Sequence, residues 1–444
     1  MNTLKNKGMK KLLKNCQTLD GMKDIVIAKD KIIEIFSLEN SFRKTGYADS
    51  DFDEIIDING KLVIPGGIDP HVHVRDLNQS DKEDWTSASQ AALAGGITTI
   101  FDMPNTIPPT TNLHNLALKR KAAKKSLINY KFHLGATNDN LSDLKDIFDK
   151  NPTDIAGIKL FLAGSSTNEI ITNENKIKEL FKLAKRYNKI VLVHTELQKC
   201  LDKWDTFTEE KCIQNHNQQR NRECAIKGTK LVLDLAEEIA NKLYICHVST
   251  KEEIELIHSA KQINDNIFCE VTPHHLNSEN GILDLVGNFG KVNPPLRTTN
   301  DNEALWKAVE DGTIDCIGSD HAPHTIDEKI EDYENAPSGF PGLETTLPIL
   351  ITEFNKRNIP IERFVELTST KTAEIFDIKE RGKIEKNYFA DLTIINTGNK
   401  FPIIASLFHS KAKYSPFDGM EVMGKVEMIF VNGMNIEYRT RNYE

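Results

Sequence analysis

The chain has 444 residues, of which 39% are hydrophobic and 27% charged, with a formal net charge of −9. That length carries a barrel-sized core plus an accessory domain. The acidic balance excludes nucleic acid as the main partner, because phosphate binding needs a basic face, and no apolar run approaches a membrane span. The basic start (Lys5, Lys7, Lys10, Lys11 and Lys14) has no arginine and no continuous apolar stretch. It reads as a lysine-rich edge leading into a strand and not as a targeting segment. Leu12-Leu13, the run 24–28 and the run 31–36 form a small meander of strands separated by polar turns, and 37–54 is a polar loop. From residue 62 onward, apolar runs at 62–64, 98–103, 130–135, 155–162, 190–193, 243–246, 267–271 and 314–318 alternate with amphipathic stretches such as 85–93, 115–125, 177–187 and 230–240. Gly95-Gly96 stops the first of these helices and turns the chain into the next strand. The tail runs 390–395 and 426–433 again read as strands.

Eight strands alternating with helices predict an α/β fold, a (β/α)8 TIM-like barrel. A doubly wound open sheet is the competitor, but it has fewer strands and no reason to place polar residues after each one. Neither chain end buries a core alone. Together they predict a small, discontinuous β-sandwich domain over 1–61 and 379–444, with the barrel over 62–378 inserted between them. The seven cysteines are scattered with no CxxC pair, so neither a disulfide framework nor a zinc knuckle is indicated. Cys246, Cys269 and Cys316 lie in apolar runs and read as buried free thiols, consistent with a reducing cytoplasm.

The run Gly67-Ile68-Asp69-Pro70-His71-Val72-His73-Val74-Arg75 carries the strongest chemical signal. Side chains on a strand repeat direction every two residues, so His71 and His73 share a face and bind one metal together. Arg75 is in phase with them and offers a cationic fork to an anion. Further along, Met103-Pro104-Asn105-Thr106, Lys159, His194, His247 and Asp320 fall at the ends of other strands, which in a barrel meet at one face. Each residue alone has a bland reading: a strand-end histidine is commonly a hydrogen-bonded core residue, and a buried aspartate an ion-pair partner. Those readings fail jointly, because four histidines, an aspartate and a lysine share one end of five strands. A buried lysine in an apolar strand is itself rare. His133, His274 and His275 near strand ends, and His114, His216, His258 and His409 in helices or loops, take the structural reading. Imidazole and carboxylate ligands suit two zinc ions per subunit. Lys159, carboxylated by CO₂, becomes a carbamate with two oxygens able to bridge them.

With those residues in view, the chain resembles the dihydroorotases of the amidohydrolase superfamily over nearly its whole length. The resemblance rests on residues 69–75, Asp102-Met103-Pro104-Asn105-Thr106, Val292-Asn293-Pro294-Pro295-Leu296-Arg297, Ser319-Asp320-His321-Ala322-Pro323-His324, Pro337-Ser338-Gly339 and Ser415-Pro416-Phe417-Asp418-Gly419. It implies a cytoplasmic hydrolase of pyrimidine biosynthesis that reversibly cyclises N-carbamoyl-L-aspartate to L-dihydroorotate on the way to UMP. His71, His73 and Asp320 would hold the more buried zinc, His194 and His247 the second, and carboxylated Lys159 would bridge them. Arg75, Asn105 and His324 would grip the substrate carboxylate, and Asn293 would contact the ring. A zinc-bridging hydroxide would attack the ring amide, with Asp320 as general acid and base. The expected partner is this small-molecule substrate, with no nucleic acid and no membrane, and a homodimer is the expected assembly. Allantoinase and hydantoinase are the near rivals, since they open other cyclic amides with the same metals but need no carboxylate grip. A superfamily member without metal, acting as a partner protein, would show gaps in the ligand set.

Overall fold

The computed structural model describes residues 9–37, 47–164, 169–208 and 210–436. Lys5, Lys7 and parts of the predicted loop at 37–54 lie outside these. Strands Lys10–Thr18, Gly21–Ala28 and Lys31–Ser37 pair antiparallel as the expected meander. From the tail, Leu392–Asn396 pairs antiparallel with Lys425–Val431. Both ends join one eight-stranded sheet. Leu13, Ile25 and Ile27 from the start share an apolar cluster with Leu392, Ile394 and Phe430 from the tail, so the halves stabilise each other. Alternation along each strand puts these side chains on one face. Glu54–Asp57, at the end of the predicted loop, is a strand parallel to Lys11–Lys14.

One expectation is corrected here. The run at 62–64 is not the first barrel strand. Leu62–Pro65 pairs antiparallel with Leu392–Ile395 in the small sheet, and the chain turns into the barrel at Gly66. A short apolar run bounded by a turn has no periodicity that distinguishes the two sheets.

The barrel strands are β1 (Gly67–Val72), β2 (Ile97–Asp102), β3 (Asn129–Gly135), β4 (Ile155–Phe161), β5 (Ile190–His194), β6 (Leu243–Ile245), β7 (Ile267–Val271) and β8 (Cys316–Ile317). They hydrogen-bond in sequence order, each parallel to the next. The ring is sewn where Val72 bridges His321 in parallel and the His73 N–H donates to the His321 carbonyl at 2.8 Å. Helices form where caps satisfy their first N–H groups. Asp84 accepts from Thr86 and Ser87 to start Trp85–Ala94, and Thr250 accepts from Glu253 to start Lys251–Lys261. The apolar faces of the helices cover the outside of the ring. A second cluster, including Ile68, Phe101, Leu192, Tyr244, Cys316 and Phe376, packs together apart from that outer layer. Each fully buried side chain of this size stabilises the fold by roughly 2–3 kcal/mol.

Cys246, Cys269 and Cys316 are buried free thiols, as expected. Cys200 and Cys224 are joined in a disulfide, which corrects the expectation of none. The two lie on helices Gln198–Phe207 and Arg222–Ile239, whose facing turns bring the Cα atoms to 5.3 Å. That is within bridging range, and their separation of 24 residues hides the pairing from sequence. No helix among the described residues is long and apolar enough to cross a membrane.

Candidate active site

The ends of β1, β5 and β6 and the segment after β8 bring His71, His73, His194, His247 and Asp320 into one buried cluster. The Asp320 carboxylate oxygen Oδ1 lies 3.1 Å from His73 Nε2 and 3.4 Å from His71 Nε2. The far nitrogen of each imidazole is already engaged. His71 Nδ1 bonds Glu270 Oε1, and His73 Nδ1 bonds Asn105 Oδ1 at 2.7 Å. With those nitrogens facing oxygen acceptors, the opposite ring nitrogens of His71 and His73 converge with the Asp320 carboxylate on one point. Three ligand atoms meeting this closely make a cation site, where a bound ion would displace the His71 proton, and these residues group as one.

The second half repeats the device. His194 Nε2 bonds Glu196 Oε2 at 3.1 Å, which leaves Nδ1 facing His247 Nε2, also at 3.1 Å. His247 Nδ1 is buried with no hydrogen-bond partner. Glu196 is itself fixed by Arg220, whose Nη2 lies 2.6 Å away. Lys159 is fully buried on β4, with its Nζ donating to Cys246 Sγ at 3.0 Å.

Burial disfavours the His71 cation, but the Glu270 carboxylate together with Asp320 overrides that and lifts its pKa to about 10. Burial pushes His73 down to about 3. Burial alone would raise Asp320, yet neighbouring His71 and His73 hold it well below the usual carboxylate range, so it stays ionised. His247 and Asp320 adopt left-handed backbone (φ 35° and 47°), as does Arg75 (φ 62°). Such strain concentrates at functional positions.

Arg75 is 2% exposed. Its Nε donates to the Pro323 carbonyl at 3.2 Å, and Nη2 lies 3.1 Å from His324 Nε2. Nη1 is buried and unpartnered. Behind it, Asp102 accepts the Val74 N–H at 2.9 Å and pairs with buried Lys119 at 2.7 Å. Lys119 also donates to the Met103 carbonyl at 2.6 Å, which locks the ends of β1 and β2 together. Asn293 Oδ1 is likewise buried without a partner, and Asn293 lines a cavity of about 510 Å³ with Gln198, His216, Arg220, Lys291 and Tyr333.

Helix Arg222–Ile239 lies directly on the His194 strand end. A Cβ at Gly228 would stand 1.6 Å from the Thr195 carbonyl, so only glycine fits. His133 and His275 are held by the carbonyls of Pro70 and Pro294, in keeping with a structural role.

Sequence reasoning missed Glu196, Glu270 and the Lys119–Asp102 pair. The signals were present: Glu196 is two residues from His194 and so in phase with it, and Glu270 is a charged residue within the apolar β7 run.

A barrel with this histidine–aspartate cluster at one strand end is the architecture of metal-dependent hydrolases. The chain belongs to the amidohydrolase family, whose model matches residues 62–436. It is 37% identical over 433 residues to a dihydroorotase of Methanosphaera stadtmanae, covering 96% of this chain and 95% of that protein. An L-hydantoinase of Paenarthrobacter aurescens is 31% identical, covering 95% and 93%. Among solved structures, the L-hydantoinase (dihydropyrimidinase) of Arthrobacter aurescens superposes with a TM-score of 0.89 at 30% identity, covering 96% of this chain and 95% of its own.

Proposed function

We propose that this chain is a dihydroorotase, interconverting N-carbamoyl-L-aspartate and L-dihydroorotate. The observation that carries the reading is Arg75: a buried guanidinium beside His324, with one unpartnered N–H face at the metal-type cluster. A buried, unpaired donor of that kind is costly unless a ligand fills it, and a planar carboxylate matches its fork. Dihydroorotate carries such a carboxylate; hydantoin and allantoin rings do not. The dihydroorotase relatives at 35–37% identity support the same substrate.

In this reading His71, His73 and Asp320 would hold one zinc ion and His194 and His247 a second, with Lys159, as its carbamate, supplying further oxygen ligands. Bound zinc supplies hydroxide near neutral pH and polarises a carbonyl. Arg75, Asn105 and His324 grip the substrate carboxylate, and Asn293 addresses the ring. Asn105 has a second task, since its Oδ1 accepts from His73 Nδ1. Asp320, kept ionised beside two imidazoles, takes the proton of the attacking oxygen and returns it to the departing ring nitrogen. In ring closure the same carboxylate runs the exchange backwards.

The direct test compares ring opening of dihydroorotate, hydantoin and allantoin, with metal analysis of the freshly purified protein. Preference for dihydroorotate and bound zinc is expected. Preference for either other ring refutes the substrate, and metal-free protein refutes the chemistry.

A further inference from the structure

Two buried lysines beyond the catalytic cluster are held in an unusual way. Lys291 (8% exposed) donates to the carbonyls of Tyr333 and Ala336, at 2.5 and 2.6 Å. Lys329 (1% exposed) donates to the carbonyls of Pro337 and Gly339, at 2.8 and 3.0 Å. Neither has a carboxylate within ion-pair distance among the described residues, whereas buried cations are normally paired. The nearest carboxylates, Asp332, Glu334 and Glu328, attract the amines from beyond ion-pair distance and have closer partners, Asp332 accepting the Asn335 N–H. Asp205 and Glu334 on the cavity rim pair with Lys211. Asp202 accepts from Gln198, Glu328 pairs with Lys82, and Arg220 is neutralised by Glu196.

The loop they fasten reaches the substrate grip. Ser338, between the two carbonyls bound by Lys329, presents its own carbonyl 3.2 Å from His324 Nε2. The Gly339 N–H donates to the Lys291 carbonyl at 2.8 Å. Lys291 also lines the same cavity as Asn293 and Arg220. One amine therefore lines the cavity and the other lies buried beneath the loop that meets His324, and each is oriented by neutral carbonyls.

We infer that Lys291 and Lys329 are specificity-determining cations that favour binding of the open-chain dicarboxylate over the ring-closed monocarboxylate. The inference rests on the dihydroorotase reading. Ring closure joins one substrate carboxylate and the carbamoyl nitrogen into an amide, taking up a proton and releasing water, so the open form carries one more negative charge. Cations held only by neutral carbonyls beside the site stabilise that form more. The equilibrium constant fixes the ratio of the two kcat/KM values, so no substitution alters that ratio. The discrimination must appear in the individual KM values, with kcat compensating.

The test measures KM for N-carbamoyl-L-aspartate and for dihydroorotate in wild type, Lys291→Met, Lys329→Met and the charge-keeping Lys291→Arg. Burial pushes the two amines down to about 8 and about 7, so assays run at about pH 6.5, where the protonated form predominates in both. Each methionine variant should raise KM for the dicarboxylate about fivefold more than for the monocarboxylate, the order expected for one extra unit charge at intermediate dielectric. Lys291→Arg should restore the wild-type difference. Raising salt in wild type should likewise raise the dicarboxylate KM more, which keeps the test open if a variant fails to fold. Equal shifts in both KM values, or no salt discrimination, overturn the inference while leaving the dihydroorotase reading intact. Wild-type protein inert toward both compounds overturns that reading and the inference with it.

Discussion

Glu270→Gln is the most informative perturbation of the cluster. The Glu270 carboxylate touches three groups: His71 Nδ1, the Tyr244 hydroxyl at 2.9 Å and the His247 N–H at 3.1 Å. All three donate to the ionised carboxylate, which satisfies every one of them. Glutamine with its NH₂ toward Tyr244 makes that hydroxyl the acceptor and keeps only a neutral oxygen toward His71. It also replaces a charge-assisted bond to His71 by a neutral one of roughly half the strength. Groups that orient a metal-binding histidine from behind contribute about 10- to 100-fold in metal affinity, or about 1.4–2.7 kcal/mol at 1.36 kcal/mol per tenfold. We expect about 30-fold weaker zinc retention in a chelator-competition titration, with thermal melting of the zinc-loaded protein little changed. Tyr244→Phe removes only one bond and should cost about 2- to 10-fold, and much of that loss should vanish in the Glu270→Gln background. Zinc retention within twofold of wild type in Glu270→Gln would refute the view that Glu270 orients His71 for an ion.

Three further outcomes follow from the same geometry. Asp320→Asn should retain metal yet lose nearly all turnover, since an amide cannot accept the proton; appreciable steady-state activity contradicts the general-base role. Gly228→Ala must move a helix away from the Thr195 carbonyl, so a melting temperature lower by several degrees and reduced activity are expected, and an unchanged melting curve counts against the close approach. Burial depresses His216 to about 3 while it holds Tyr333 and the Val292 carbonyl. Its folded value lies below the unfolded value near 6.5, so its contribution is complete above that pH. It is lost as pH falls toward 3, at about 1.4 kcal/mol per unit. Urea denaturation between about pH 7 and 5 should show this slope, and His216→Asn should reduce it by one proton's worth.

The residues assigned to the chemistry were more legible than the strand that carries the first of them. His71, His73, His194, His247 and Asp320 stand out because polar groups at the ends of apolar runs are conspicuous, and barrel topology then gathers them. The run at 62–64 was misplaced because burial makes it equally apolar in either sheet, and its partner, Leu392–Ile395, lies more than 300 residues away. Glu196 and Glu270 escaped notice because their role depends on which ring nitrogen they face, a matter of angle and not of spacing. The two lysines beneath the 333–339 loop were invisible for a related reason: their partners are backbone carbonyls, which every residue type supplies.

The seam at His73 and His321 has a consequence for how the molecule holds together. His71 and Asp320 stand on opposite sides of it, and an ion shared between them would be a clasp closing a loop of about 250 residues. Its binding energy is then also ring-closure energy, because ligands this far apart in sequence have no preformed site in the unfolded chain. On the proposed reading, occupancy of the centre and integrity of the barrel would be one equilibrium, with a bound ion serving as the last fastener of the fold.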